Sequence, residues 1–556
     1  MSSLLESVIK DLSKTGLAGL GVKSPFTIPS GIVTTVPSVI ARIARDIPAI
    51  GFLTTKTLSL KARSGYREPV IHEYYPGCFV NAVGLANPGA GKFLEAMEPL
   101  LPLHDNKPLI VSIMGGDDAE FLECALILDP IADAFELNLS CPHVKEAGQS
   151  IGSDPDTVRT IIRLLRKHIQ KPIIPKLSPN LADIPGMARL CEEEGADALC
   201  LINTVGPGVA TDTEGNPVLT NIAGGVSGSG ILPIGLKALR EAALMVNIPI
   251  IAAGGIASPE DVRAYREVGA SLFSVGSALA GMGSTQIADF FRNLVESLEQ
   301  QPVQASSARC VAASARTSYF KTHVAENTPF GPELFKLRLD KGPQCPPGCF
   351  FFLRLPGVGE KPFSPARDVE PVYLVRIVGP FTRALAQLKP GDPIYMRGPY
   401  GKGFPEPQPG RPLVLVAGGT GAAPILLAAA RWPVAVSRAF LGFSDHVSDS
   451  FQDEILTAVP SACISIDPPG QIGEVVRLLA DDMAMQSAIY EECQAFICGP
   501  GPMMDAVIAL MGQKTPKERL FTAREDIMRC GIGLCGSCGT KSGLRSCIDG
   551  PVMHPE

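Results

Sequence analysis

The sequence predicts an α/β chain in which a (β/α)8 TIM barrel is followed by an antiparallel β-barrel, a doubly wound α/β domain and a small cysteine-rich domain. Three observations carry that reading. Eight short apolar, β-branched runs recur through residues 1–303 with helix-length segments between them. A block of period-2 strands broken by Gly and Pro follows, and then a strand, a glycine-rich turn and a helix at Pro412–Ala430. Four cysteines, Cys530, Cys535, Cys538 and Cys547, lie in the segment CGIGLCGSCGTKSGLRSC near the C-terminal end.

The eight runs lie near Phe26–Pro29, Ile50–Lys56, Leu109–Met114, Phe135–Leu139, Ile173–Leu177, Ala198–Asn203, Ile250–Ala253 and Leu272–Val275. Amphipathic stretches such as Pro155–His168, Pro185–Glu194 and Pro259–Val268 separate them. Eight repeats of strand and helix close a parallel barrel, whose chemistry gathers at the C-terminal strand ends. The polar residues follow that rule. Ser30 comes after the first run, Lys56 ends the second, Asn138 and Cys141 the fourth, Lys176 the fifth, and Asn203-Thr204 the sixth. Gly254-Gly255 and Gly276-Ser277 follow the last two runs, where barrels cradle phosphate on backbone N–H groups. Lys56 and Lys176 stand in apolar strands, where a charge is costly without an anionic partner.

These residues reach a family. FELNLSCPHV, KLSPN, LINTV, GGVSGSG and AAGGI, in this order, resemble dihydroorotate dehydrogenase, and NAVGLANPG resembles its orotate-binding loop. The resemblance implies FMN at Ser30, Lys56, Thr57, Asn138, Lys176, Ile202, Gly228, Gly254, Gly255, Gly276 and Ser277. It implies a pyrimidine and its carboxylate held by Lys56, Asn81, Ala82, Val83, Gly84, Leu85, Asn138, His143, Asn203 and Thr204. Cys141 matches the general base of the soluble, cysteine-type class, with Lys56 and Asn138 beside it. Dihydroorotate loses a proton from C5 and a hydride from C6, so a base on one face and a flavin on the other suit the reaction. A thiol acts as base through its minor thiolate form, which nearby positive charge enlarges. Two positions depart from the family, which commonly has asparagine where this chain has His143 and Ser112. CPH also occurs in dihydropyrimidine dehydrogenases, so reduction of uracil or thymine with NADH is the alternative reading. A third reading, from a non-catalytic class, is a degenerate barrel acting as an assembly or redox-sensing module.

Residues 304–316 turn small and polar and read as a linker. Over 317–408, YFKTHVAENTPFG, ELFKLRLD, GCFFFLRLPG, PVYLVRIVG and DPIYMRGPYG predict an antiparallel barrel of about six strands. Over 409–517, Gly418, Gly419, Thr420 and Gly421 allow the close backbone approach that suits a dinucleotide pyrophosphate. AFLGFSD, SACISIDPPG and AFICGPGPMMDAV supply three further strand ends, the last with Cys498 and Gly499. In order, these segments resemble the ferredoxin–NADP reductase superfamily, with FAD in the first domain and NAD in the second. That resemblance places FAD at Lys361, Pro362, Phe363, Ser364, Arg376 and Thr382, Lys361 standing where the family has arginine.

In the last segment, 518–556, the spacing C-x4-C-x2-C and then C-x8-C is the plant-type arrangement of four thiolates around a [2Fe–2S] cluster. Zinc knuckles show paired C-x2-C, and disulfides need an oxidising compartment, so both fit less well. REDIMRCGIGLCGSC with CIDGPV resembles the electron-transfer subunit of class 1B dihydroorotate dehydrogenases, which carries FAD, one such cluster and a site for NAD. The gap before Cys547 is shorter than is usual there. Cys345, Cys349, Cys463 and Cys493 fall outside that pattern and are expected in packing.

Composition bounds the partners. The 556 residues are 46% apolar and 19% charged with a net charge of −7, which offers no basic field for nucleic acid or anionic lipid. MSSLLESVIKDL is no signal peptide, and the apolar run Leu413–Ala430 is broken by glycines and a proline, so no membrane span is expected. Fifteen cysteines without a secretory context point to a reducing cytoplasm. The class 1B resemblance implies a homodimer through the barrels and small-molecule substrates, dihydroorotate or orotate and NAD(H).

Overall fold

A computed structural model describes residues 16–140, 151–299, 317–444, 446–467 and 473–556. The chain divides into two compact units, Met1–Ala315 with Ile532–Arg545, and Arg316–Gly531 with Ser546–Glu556.

The first unit contains strands β1 (Phe26–Thr27), β2 (Leu53–Thr54), β3 (Ile71–Tyr75), β4 (Cys78–Asn81), β5 (Leu109–Ile113) and β6 (Ala134–Asn138). It continues with β7 (Ile173–Leu177), β8 (Leu199–Leu201), β9 (Val205–Val209), β10 (Ala223–Gly228), β11 (Ile250–Ala253) and β12 (Leu272–Ser274). Eight of these form a parallel sheet in the order β1-β12-β11-β8-β7-β6-β5-β2, and a parallel bridge from Phe26 to Ile50 brings its two ends together. Every run expected as a barrel strand supplies one. The expected helices form at Pro155–His168, Ile184–Glu193 and Pro259–Glu267. Asp154, Asp183 and Ser258 cap them by accepting from backbone N–H groups of the first turn, each with proline in that turn.

Strand alternation sorts the barrel interior into an apolar layer and a polar one. Phe52, Ile110, Ala134, Ile174, Ala198, Ile251 and Leu272 point inward and pack as one cluster with Leu17 and Val22. Two residues further along their strands, the same inward parity brings Ser112, Glu136 and Lys176. Their neighbours Val111, Phe135 and Leu137 face the helices in a second, larger core. The sequence reading did not foresee the four-stranded antiparallel sheet β3-β4-β10-β9. VGPGV and AGGVSG are too rich in glycine to read as strands, and their pairing with β4 is a long-range event that local periodicity does not register.

The second unit opens with an antiparallel sheet of six strands: β13 (Phe320–Gly331), β14 (Leu334–Leu339), β15 (Phe350–Leu355), β16 (Gly359–Phe363), β17 (Val372–Arg376) and β18 (Pro393–Tyr400). Its order is β16-β15-β18-β13-β14-β17, with β16 and β17 at the edges. The sheet curls so that Phe363 of β16 stacks on Phe381 of the helix Pro380–Ala386, with ring centroids 6.4 Å apart.

A second six-stranded sheet comprises β19 (Leu413–Gly418), β20 (Val436–Phe443), β21 (Ala462–Ile466), β22 (Gln494–Cys498), β23 (Leu520–Ala523) and β24 (Val552–Met553), in the order β21-β20-β19-β22-β23-β24. The first five are parallel and β24 runs antiparallel to β23. Chain order reverses between β19 and β22, the switch point of a doubly wound sheet. β23 and β24 lie within 518–556, so that segment contributes strands to this sheet as well as the cysteines. One packing expectation is corrected. Cys463 lies on the edge strand β21 and is exposed, because an edge strand facing solvent on one side turns every second residue outward.

Candidate functional site

The barrel mouth of the first unit holds a cavity of about 440 Å³. Its wall contains every described residue that the resemblance assigns to FMN or substrate, and Ser112 lies outside it. Ser30, Lys56, Thr57, Asn138 and Lys176 come from strand ends. Asn81–Leu85, Ile202, Asn203, Thr204, Gly228, Gly254, Gly255, Gly276 and Ser277 complete the wall. Cys141 and His143 lie outside the described residues.

Two glycines of the wall stand where the chain packs too closely for any side chain. Gly255 has φ +80°, and a Cβ there would stand 2.8 Å from Leu232 Cβ. Gly228 has φ +100°, and its Cβ would meet Gly77 O at 2.0 Å. The glycine turns that end the last two barrel strands, Gly254-Gly255 and Gly276-Ser277, line the cavity and suit the phosphate of a flavin mononucleotide on their backbone N–H groups.

A buried ion pair and a line of hydroxyls run from the cavity wall into the barrel. Lys176 Nζ stands 3.7 Å from Glu136 Oε2. Burial is the largest influence and works against the lysine's charge, but the Glu136 carboxylate together with Cys200 holds Lys176 above its ordinary value. Ser112 Oγ donates to Glu136 Oε1 at 2.8 Å and shares a 3.0 Å bond with Thr57 Oγ1. Thr57 Oγ1 also meets Ser30 Oγ at 2.9 Å and accepts from Asn138 Nδ2 at 3.1 Å. Since Ser112 gives its proton to the carboxylate, Thr57 must donate to Ser112, and Ser30 to Thr57. The protons therefore point one way, from the cavity surface down to Glu136. Asn203 Nδ2 donates to Ser140 Oγ at 2.8 Å and to Asn138 Oδ1 at 3.4 Å, and Asn81 Nδ2 donates to Gly225 O at 3.1 Å.

The sequence reading missed Glu136, although its inward parity with Asn138 in FELN was visible. It also missed Asn87. That buried amide donates to Ser59 Oγ and Leu85 O, both at 2.9 Å, and accepts from the N–H groups of Ser59 and Gly89, pinning the loop that carries Asn81–Leu85. Arg63, also in the cavity wall, pairs through its backbone with Asn87. Ser112 does not face the cavity. It is fully buried below the lining, bonded to Thr57 and to Glu136.

The cysteine segment meets the barrel within this same unit. Val33 N donates to Leu534 O at 2.8 Å, Gly281 N to Ile532 O at 2.8 Å, and Thr35 Oγ1 to Cys535 O at 2.7 Å. Arg545 is buried and donates to Gly533 O and Met282 O, both at 2.6 Å. Leu534 and Cys535 consequently form part of the cavity wall. All four spaced cysteines are buried, Cys535 and Cys538 counted with the first unit and Cys530 and Cys547 with the second. Gly531, Gly533 and Gly536 have φ of +77°, +70° and +65°, the tight left-handed winding a chain needs around an inorganic core. Among the described residues, no three of His, Cys, Asp or Glu are grouped to hold a single metal ion. The donor set, four thiols at plant-type spacing, fits a [2Fe–2S] cluster. Cys124, Cys191 and Cys200 contrast with it, each pushed up to about 12 by burial and so inert.

In the second unit, Lys361, Pro362 and Phe363 lie on edge strand β16 and Ser364 follows it. Arg376 ends β17 and donates to Ser444 Oγ at 3.1 Å. Thr382 is occupied by its own helix, its hydroxyl accepting from Val378 N at 2.9 Å and Gly379 N at 3.1 Å. Gly418–Gly421 and Cys498-Gly499 come together at the C-terminal ends of the paired strands β19 and β22, on the switch point. A Cβ on Gly421 would stand 2.7 Å from the Cys498 backbone. The run Leu413–Ala430 forms strand, turn and helix, and among the described residues no helix is long and apolar enough to cross a membrane.

Comparison with known proteins agrees with this geometry. Residues 12–298 match the family described as dihydroorotate dehydrogenase. Residues 525–556 match the iron-sulfur cluster binding domain of dihydroorotate dehydrogenase B. The chain is 37% identical over 295 residues to the catalytic subunit of dihydroorotate dehydrogenase B (NAD(+)) of Pyrococcus horikoshii, 53% of this chain and 95% of that one. Its likeness to the same subunit of Methanocaldococcus jannaschii is 38% over 270 residues, 48% and 87% of the two chains. With that of Geobacter sp. (strain M21) it is 41% over 236 residues, 42% and 76%. The barrel, its lysine-lined cavity and the cysteine segment in the cavity wall define an α/β-barrel oxidoreductase. The chain belongs to the dihydroorotate dehydrogenase family.

Proposed function

We propose that this chain oxidises dihydroorotate to orotate with NAD⁺ as acceptor, joining in one polypeptide a catalytic barrel and an electron-transfer subunit. On this reading residues 1–303 bind FMN and substrate, 317–408 bind FAD, 409–517 bind NAD and 518–556 hold the [2Fe–2S] cluster, with 304–316 as linker. Electrons pass in the order FMN, cluster, FAD, NAD⁺. When bound, FMN supplies a hydride acceptor, the cluster a one-electron carrier, and FAD the conversion back to a hydride. Two electrons and two protons leave the substrate; NAD⁺ takes both electrons with one proton, and the other goes to solvent.

The observation that carries this reading is Cys535 in the wall of the barrel cavity, one peptide from Leu534 in the same wall. A cluster ligand at that place gives electrons a short exit from the pocket. The chain's own groups divide the remaining work. Asn81, Asn138, Asn203 and the N–H groups of the 81–85 loop hold the planar pyrimidine. Lys56 and Arg63 reach the cavity wall, and the backbone N–H groups of the 81–85 loop suit a carboxylate that uracil does not have. Cys141 takes the C5 proton. At the switch point, the glycine turn after β19 receives the NAD pyrophosphate. Lys361 beside the FAD pyrophosphate keeps the charge of the family's arginine but not its bidentate fork. Assembly is a homodimer through the barrels, in the cytoplasm.

Anaerobic titration of the purified chain with dihydroorotate and then NADH, followed by visible spectra, tests the relay. Both should bleach flavin and cluster together, and a colourless protein or bound zinc would sink it. Cys141→Ala should lower dihydroorotate oxidation by about 10²–10⁴, the usual worth of a general base. NADH oxidation by an artificial acceptor should persist in that variant, and equal loss of both would make Cys141 structural. Activity on dihydrouracil but not dihydroorotate would replace this substrate with the uracil class.

A further inference from the structure

The second unit contains a buried charge that the reaction sequence above does not use. Arg397 on β18 and Glu360 on β16 form an ion pair whose side chains are both 0% exposed. Arg397 Nη2 donates to Glu360 Oε1 at 2.6 Å and Nε to Glu360 Oε2 at 2.9 Å. One edge of the guanidinium is thus closed by the carboxylate, and Tyr319 Oη donates to the same carboxylate. The other end is turned elsewhere. Nη1 donates to Tyr400 Oη at 3.0 Å and to the backbone carbonyl of Cys530 at 2.9 Å. The face of the guanidinium lies over the Phe352 ring, 4.0 Å from its centroid. Pair, aromatic wall and Cys530 carbonyl all belong to this unit.

A buried ion pair gives little stability, because desolvation offsets the attraction. What it does supply is a dipole of fixed direction in a medium that screens it poorly. Here the negative end is held at Glu360 and the positive end at the peptide carrying the first of the four spaced cysteines. Arginine suits this post because it stays charged even when buried.

We infer that Arg397 is a positioning and tuning residue for the cluster: through its bond to the Cys530 carbonyl it holds one end of the cysteine loop and raises the cluster's reduction potential. Reduction adds one negative charge to the cluster, and a nearby fixed positive end favours that state. The inference rests on the cluster reading, and its test separates the two. The full-length holoenzyme is compared with Arg397→Lys and with the neutral pair Arg397→Met with Glu360→Gln. Iron and sulfide are assayed, and the cluster midpoint is read by redox titration with electron paramagnetic resonance. Arg397→Lys keeps a charge beside Glu360 but draws it away from Cys530, so the midpoint should fall while iron stays. In the neutral pair the reduction equilibrium should weaken about tenfold, 59 mV for one electron. An iron-replete variant of either kind at the wild-type midpoint overturns the inference. A merely structural role predicts partial iron loss with the remaining cluster at its original potential, which is also an overturning result. If the neutral pair does not load iron, Arg397→Lys decides alone. A wild-type protein without iron defeats the cluster reading itself.

Discussion

Among the described residues, each unit holds an ion pair with both side chains buried, Lys176 with Glu136 and Arg397 with Glu360, and the two pairs are built differently. In the barrel, Lys176 stands 3.7 Å from Glu136, and the carboxylate takes a further bond from Ser112, at the end of a hydroxyl line that begins in the cavity wall. In the antiparallel sheet, Arg397 grips Glu360 at 2.6 Å with two donors and spends the rest on protein groups. Lysine is a point charge that can surrender its proton when its partner goes. Arginine cannot. The barrel pair is therefore an adjustable charge beside a pocket, and the sheet pair a permanent one locked in protein.

That contrast predicts unequal costs for the same chemical change. Glu360→Gln leaves a guanidinium buried without its anion, a loss of about 3–5 kcal/mol. The chain has a single tryptophan, Trp432, in the second unit and 5.9 Å from Phe496, so its fluorescence reports that unit. Urea unfolding followed at Trp432 should shift strongly for Glu360→Gln and hardly at all for Glu136→Gln. Equal shifts would erase the distinction between the pairs.

How much of this was legible in the sequence differs between the two pairs for a physical reason. Barrel strands carry their chemistry at their ends, so Lys56, Asn138 and Lys176 announce themselves as polar residues closing apolar runs, and their cavity was readable. Glu136 shares the parity of Asn138, yet an acid within a strand reads as a surface residue until its inward direction is known. Arg397 and Glu360 are harder still. Each alternates correctly in its own strand, and their meeting depends on two ladders, β16 with β15 and β15 with β18, that no local pattern specifies. The antiparallel sheet β3-β4-β10-β9 stayed hidden for the same reason. So did Asn87, whose four bonds are local but whose type suits any turn. The docking of the cysteine segment on the barrel, through Val33, Thr35 and Gly281, joins residues some 250 to 500 positions apart and has no sequence signal at all.

The next largest effect is expected from Glu136→Gln, at under about 3 kcal/mol because Lys176 can become neutral. Its signature is the sign of the pH dependence. In the native chain Lys176 is held above its ordinary value, so its contribution is fully present below about pH 10.4 and is lost only as pH rises through the higher folded value. Without the carboxylate, burial prevails and drives Lys176 below the unfolded value. The unfolded chain then binds more protons over that window, and stability rises with pH up to about 10.4. Calorimetric melting of the barrel between about pH 7 and 10 should show that rise in the variant, where Lys176 of the native chain contributes no slope, together with weaker FMN retention. A variant whose slope matches the wild type would mean that Glu136 does not set the charge of Lys176.

The smallest effect separates the pairs by consequence rather than by size. Ser112→Ala and Tyr319→Phe each remove one hydroxyl that donates to a buried carboxylate, and each should cost about 1 kcal/mol. Neither removes the ion pair. Ser112, however, is the step between Glu136 and Thr57, and Thr57 lies in the cavity wall with Ser30 and Asn138 bonded to it. Losing that hydroxyl frees Thr57 to turn its proton toward the pocket, so the absorption spectrum of the bound flavin should shift in Ser112→Ala. Tyr319 connects Glu360 to Arg397 Nε and belongs to the second unit, so Tyr319→Phe should leave the barrel flavin as it was. If both variants lose the same stability and neither moves the spectrum, the hydroxyl line from Ser30 to Glu136 is packing. If only Ser112→Ala moves it, the barrel pair is wired to the pocket it lies beneath.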